Sequence, residues 1–109
     1  MKKSIRDLQL RISQFCEIRN WNQFHTPKNL AISISIEAAE LLENFQWSND
    51  DDQLIEEKLQ KISDEVADVL IYSIRLCEVL GVDPIEISNN KIDKNAFKYP
   101  INLSKGKSE

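Results

Sequence analysis

The sequence predicts an all-α bundle of four helices that self-associates, and three observations carry that expectation. Its 109 residues include two glycines and three prolines, too few for the many tight turns of a β-sandwich or barrel, since Gly alone usually makes up ~7% of a chain. Apolar residues recur every three or four positions, the period of one helix face, through most of the sequence. One segment, around 66–77, is apolar around nearly its whole helical circumference, more than a chain this short can cover by itself.

Each element follows from local signals. Ile5, Leu8, Ile12, Phe15 and Ile18 line one face of a first helix from Ser4 to about Asn20, with Ser4 and Asp7 spaced as a capping box. Trp21–Lys28 breaks the pattern with two large aromatics and the single histidine, and Thr26-Pro27 suits the N-cap and first residue of the next helix. Leu30, Ile32, Ile34 and Ile36 alternate with small residues, a strand period, whereas the following EAAELLENF is helical. No turn residue separates the two stretches, so one helix of about Pro27–Gln46 is expected. Ser48–Asp52 reads as a loop and N-cap whose acids suit a helix N-terminus. A long helix, Gln53–Leu80, ends at Gly81, and Asp83-Pro84 opens a fourth that reaches about Phe97. Residues 1–100 then make one domain, with 101–109 as a flexible tail.

Composition narrows the partners. Fourteen basic against eighteen acidic residues give a formal charge of −4, which argues against polymeric nucleic acid. A small anion remains open if a metal supplies positive charge. No apolar run approaches the ~18 residues of a membrane span, MKKSIRDLQLR has no apolar region behind its basic residues, and Cys16 and Cys77 belong to no paired motif. The expectation is a cytoplasmic, reduced chain without a membrane partner.

The chemistry-bearing pattern is a repeated spacing. Glu37/Glu40 and Glu65/Asp68 are both i, i+3 carboxylate pairs, each projecting from one side of a helix. By itself the first pair reads as an ordinary polar face, with Glu37, Glu40, Glu43 and Asn44 opposite Ala38, Leu41, Leu42 and Phe45. The second pair lies among Val66, Val69, Leu70, Ile71 and Tyr72, where an ionised carboxylate needs a partner. Arg75 is a candidate partner for Asp68 but cannot easily serve Glu65 as well. Facing the other pair across a cation satisfies both, and the 24 residues between Glu40 and Glu65 allow two antiparallel helices to do this. Four carboxylates suit Mg²⁺ or Mn²⁺. Zinc is disfavoured because no Cys or His is suitably grouped, and a di-iron bundle because the one histidine is not in a Glu-x-x-His helix.

Glu37-x-x-Glu40 … Glu65-x-x-Asp68 resembles the signature of the MazG-like, all-α nucleotide pyrophosphohydrolases. The stretch Arg19–Leu30, Phe45-Gln46-Trp47, Asp68-Val69-Leu70-Ile71-Tyr72 and Lys91 … Asn95 … Tyr99-Pro100 are similar to the dCTP pyrophosphatase branch, and the likeness covers about residues 5–102. The resemblance implies Mg-dependent hydrolysis of a (deoxy)nucleoside triphosphate, dCTP-like, to the monophosphate and pyrophosphate. It implies metal ligation by Glu37, Glu40, Glu65 and Asp68, with Glu40 or else Glu37 as the base for water and Glu43 adding a further contact. It implies nucleotide contacts from Trp21, His25, Trp47 and Tyr72, aromatic faces that stack on a base, against the plainer alternative of packing, which fits Phe24 better. Lys91, Asn95 and Lys98 form one polar stripe, either a phosphate clamp or a solvated face. The family's usual Glu-Glu-x-x-Asp is here Asp64-Glu65-x-x-Asp68, which leaves residue 64 without an assigned role. The resemblance also implies a homotetramer, a dimer of dimers. The rival readings are a non-catalytic helical module that binds a partner protein, and a dUTPase-like relative.

Overall fold

Local capping chemistry sets the starts of three of the long helices. The computed structural model describes residues 3–48 and 51–106. Among these there are four long helices, α1 (Ile5–Ile18), α2 (Pro27–Glu43), α3 (Asp51–Leu80) and α4 (Pro84–Lys98), a 3₁₀ turn at Asn22–Phe24, and a one-turn α5 (Ile101–Ser104), with no strand. Ser4 Oγ accepts from the Asp7 amide at 3.0 Å and donates to the Asp7 carboxylate at 2.8 Å, closing the N-terminus of α1. Asp83 caps α4 by accepting from the amides of Ile85 and Glu86. α1 and α3 end alike. Asn20 (φ 55°) and Gly81 (φ 72°) adopt the left-handed conformation, and the next amides, of Trp21 and Val82, bond back five residues to Cys16 and Cys77.

The alternating stretch 30–36 is helical, as the absence of a turn residue required. Three boundaries differ from expectation. α2 stops at Glu43 rather than Gln46, because the Asn44 amide turns back to the carbonyls of Glu40 and Leu41 and the chain enters a turn. α3 begins at Asp51, with two acids in its first turn. The tail forms a helical turn at Ile101–Ser104; residues 107–109, and Asn49 and Asp50 of the acidic loop, lie outside the described residues. Thr26 Oγ1 accepts from the Asn29 amide at 3.1 Å, so Thr26→Ala should cost about 1 kcal/mol in chemical denaturation. An unchanged midpoint would mean that the cap is dispensable.

α2 lies along α3, and α1 packs on α3 through Leu8, Ile12, Cys16 and Ile74. The orientation of α2 is the one that turns its acids toward α3, not that of an ordinary polar face. Leu30, 1% exposed, begins an inward stripe that continues through Ile34, Glu37, Glu40, Leu41 and Asn44, whereas Ile32, Ile36 and Leu42 face out. The acids thus face the neighbouring helix and much of the oil faces solvent. α4 has no buried residue, and Phe97 is 91% exposed. The radius of gyration, 17.0 Å, exceeds the about 13 Å of a compact chain of this length. The surface of 8903 Å² likewise exceeds the about 6,200 Å² of a monomer of this mass.

Candidate active site

The inward stripe of α2 meets its counterpart on α3 at the acidic pairs. One carboxylate oxygen each from Glu37, Glu65 and Asp68 lies within 4.8 Å of the others, a group that can hold a metal ion. Oε2 of Glu37 and Oε2 of Glu65 are buried without a hydrogen-bond partner. Glu40 stands beside both but outside the converging trio.

The electrostatics record the crowding. Glu37 is pushed up to about 7, first by sharing a proton with Glu40, then by burial and the charges of Glu40, Asp68 and Glu65. Burial also raises Glu65, reinforced by Glu40 and Asp68 and opposed by Lys61. The Tyr72 hydroxyl is raised by burial, then by the negative charge of Glu37 and Asp68, so it stays protonated and available as a donor. Among the described residues the single ion pair is Arg75–Glu78, so none of the four acids is ion-paired. The donor set and the orphaned oxygens fit a hard divalent cation, which would reverse the repulsion.

Two concavities flank the cluster. On one side a cavity of about 440 Å³ is walled by Trp21, His25, Asp68, Tyr72 and Arg75, with Ile12, Phe15 and Cys16 of α1 beneath. Its volume suits a small organic ligand. The Trp21 ring stands edge-on to Phe15, centroids 5.6 Å apart, and Arg19 lies 3.5 Å over Phe15. On the other side a groove of about 320 Å³ is lined by Glu40, Glu43, Asn44, Lys58, Lys61 and Glu65. Lys58 sits where α3 kinks (φ −120°, ψ 20°).

The structure therefore brings Trp21, His25 and Tyr72 to the cavity together with Asp68, through which the acidic cluster joins it. It leaves Trp47 out, 89% exposed in the turn after α2. Lys91, Asn95 and Lys98 are exposed on α4 and line neither concavity. Phe24 is exposed rather than packed. Arg75 does not pair with Asp68: it bonds Glu78, His25 and Asn22 instead. Lys58 and Lys61 escaped the sequence reading, although they share a helical stripe with Glu65 and Asp68 at three- and four-residue steps.

The fold and the site define an all-α protein whose paired carboxylates can grip a hard cation beside a base-sized cavity. The model of the MazG-like family matches residues 32–109, and the chain belongs to that family. It is 35% identical over 107 residues to dCTP pyrophosphatase 1 of Rattus norvegicus, a match that covers 94% of this chain and 63% of that protein. To dCTP pyrophosphatase 1 of Homo sapiens it is 32% identical over 110 residues, covering 96% and 64%. The chain thus spans somewhat under two thirds of the length of these relatives. The crystal structure of a pyrophosphatase from Archaeoglobus fulgidus matches with a TM-score of 0.83 at 46% identity, covering 87% of this chain and 91% of that one.

Proposed function

We propose that the chain is a nucleoside triphosphate pyrophosphohydrolase that splits a dCTP-like deoxynucleotide into its monophosphate and pyrophosphate. The observation that carries this reading is the convergence of Glu37, Glu65 and Asp68, with two orphaned carboxylate oxygens, where Asp68 also lines an aromatic-walled cavity. The base enters that cavity against Trp21 and Tyr72. The α-phosphate reaches the acids at its edge, and the β- and γ-phosphates run on toward Lys58 and Lys61.

Magnesium, or manganese, held by Glu37, Glu65 and Asp68 supplies the positive charge that lets phosphate oxygens approach the acids. Water attacks the α-phosphorus, the bond to the bridging oxygen breaks, and pyrophosphate leaves. Glu40, next to the trio but outside it, takes the proton from the attacking water, with Glu37 the alternative base. Lys91, Asn95, Lys98 and Trp47 lie away from the cluster in this chain, so their part in binding requires a second copy. The outward apolar residues of α2, α3 and α4 support such an assembly, read here as a tetramer of paired dimers, in a cytosolic setting that suits the two free cysteines.

The test is pyrophosphate release from a panel of deoxynucleoside triphosphates with and without Mg²⁺. Metal-dependent release that is fastest for cytosine nucleotides is expected. Preference for dUTP would point to the dUTPase-like relative, and no release from any substrate would reduce the chain to a binding module. Glu40→Gln should lower kcat roughly 10²- to 10⁴-fold, the contribution of a positioned base, and leave KM nearly unchanged.

A further inference from the structure

Arg75 is the one buried charged side chain among the described residues, 5% exposed. Each of its three guanidinium nitrogens makes a hydrogen bond: Nε donates to His25 Nδ1 at 3.0 Å, one terminal nitrogen to Glu78 at 2.9 Å, and the other to Asn22 Oδ1 at 2.6 Å. Glu78 also accepts from Ser13 Oγ at 3.0 Å, which ties the network to α1. Asn22 and His25 bracket the 3₁₀ turn, so this side chain pins both ends of the aromatic loop to α3.

The pairing dictates the state of the imidazole. A guanidinium does not give up its proton, so the Nδ1 it donates to must be the unprotonated nitrogen, and the ring's N–H must be on Nε2. We infer that Arg75 is a positioning residue that holds His25 as the neutral Nε2–H tautomer, so that this wall of the cavity offers a hydrogen-bond donor and selects a nucleobase edge bearing an acceptor, a ring nitrogen or a carbonyl oxygen. The selection rests on the nucleotide reading above; the tautomer does not.

The surroundings act in the same direction. Burial first, and then the Arg75 charge, push His25 below its ordinary value. The other charged or titratable groups on the cavity wall are Arg11 and Cys16 from α1, and Asp68 and Tyr72 from α3. Glu78, which would favour a protonated ring, is already engaged by Arg75. Protonating His25 would remove the acceptor that Arg75 uses and set two cations side by side.

His25 is the only histidine in the sequence, so a long-range ¹H–¹⁵N spectrum of the free, full-length chain reports this ring alone. The expected spectrum shows one protonated nitrogen in the neutral ring, Nε2, and a ring less protonated at pH 6.5 than an unshifted imidazole. In Arg75→Met the two tautomers should mix and the ring should titrate higher than in wild type, with burial still holding it below its ordinary value. Equilibrium binding of dCMP is then compared with two analogues that each lack one pyrimidine acceptor, the 3-deaza base and the 2-deoxo base. At least one should bind wild type about tenfold more weakly, the scale of one hydrogen bond, and Arg75→Met should shrink that penalty to within about twofold. An Nδ1–H or mixed spectrum in wild type overturns the inference, and needs no variant should Arg75→Met fail to fold. An unchanged penalty in Arg75→Met overturns the selection. Failure of dCMP to bind at all, with the stated tautomer in place, contradicts the nucleotide reading and leaves the Arg75–His25 assignment supported.

Discussion

Glu65→Gln should lower turnover on the order of 10³-fold, the several kcal/mol of charge stabilisation that a divalent cation held there would supply, and yet make the metal-free protein more resistant to heat. The two effects have one cause. Glu65 is raised by burial and by the charges of Glu40 and Asp68, so neutralising it relieves repulsion in the metal-free fold and also removes a ligand. The pH dependence follows from Glu37, whose folded value of about 7 stands above its ordinary 4.5. Between those limits the folded chain keeps a proton that the unfolded chain has released. The metal-free protein therefore loses stability as pH rises from about 4.5 to 7 and levels off above that. Thermal melts of wild type should show that decline, and melts of Glu65→Gln a shallower one. Mg²⁺ at a hundredfold excess over its Kd should restore about 2.7 kcal/mol to wild type and nothing to the variant. Melts that rise with pH in the absence of metal would show that the acids are not crowded as described.

Ile32→Arg/Ile36→Arg should convert the protein to monomers in sedimentation and reduce turnover roughly a hundredfold or more, although neither residue touches the acidic cluster. Both side chains are exposed on the face of α2 that points away from α3, where charge is harmless in a monomer and forbidden in an apolar interface. The loss of activity follows if Lys91, Asn95 and Lys98 reach the phosphates only from a neighbouring copy, since removing one preorganised charge-stabilising donor typically costs 10²–10³ in rate. A monomeric variant with full activity would show that the single chain carries a complete site.

Most of the fold was written in residues whose chemistry is local. Ser4, Thr26-Pro27, Asp83-Pro84 and Gly81 act on backbone groups within a few positions, and each does in the structure what its type suggests. The end of α2 was less legible, because the Asn44 side chain competes with continued helix for the carbonyls of Glu40 and Leu41. The facing of α2 was legible only through the pairing of its acids with those of α3. Helical periodicity separates two faces but does not say which is covered, and here the acidic face is inward. Glu37, Glu40, Glu65 and Asp68 could be singled out because two identical spacings stood out, one of them in an apolar segment. Arg75 was noticed but given the wrong partner: Asp68 is near in sequence, whereas Asn22 and His25 are brought to it by the return of a loop some fifty residues away. Lys58 and Lys61 went unread because their place beside Glu40 and Glu43, in one groove, depends on how α2 lies along α3.

The central claim is that acids on two helices form one divalent-cation site, and calorimetric titration of Mn²⁺ into the metal-free protein tests it most directly. The titration is run at pH 7 in two buffers of different ionisation enthalpy, and repeated at pH 8. Wild type should bind the metal and, at pH 7, release a fraction of a proton per site as Glu37 ionises, with tighter binding and less proton release at pH 8; Glu65→Gln should bind far more weakly. Binding to Glu65→Gln that equals wild type, or no binding to wild type at either pH, would contradict it.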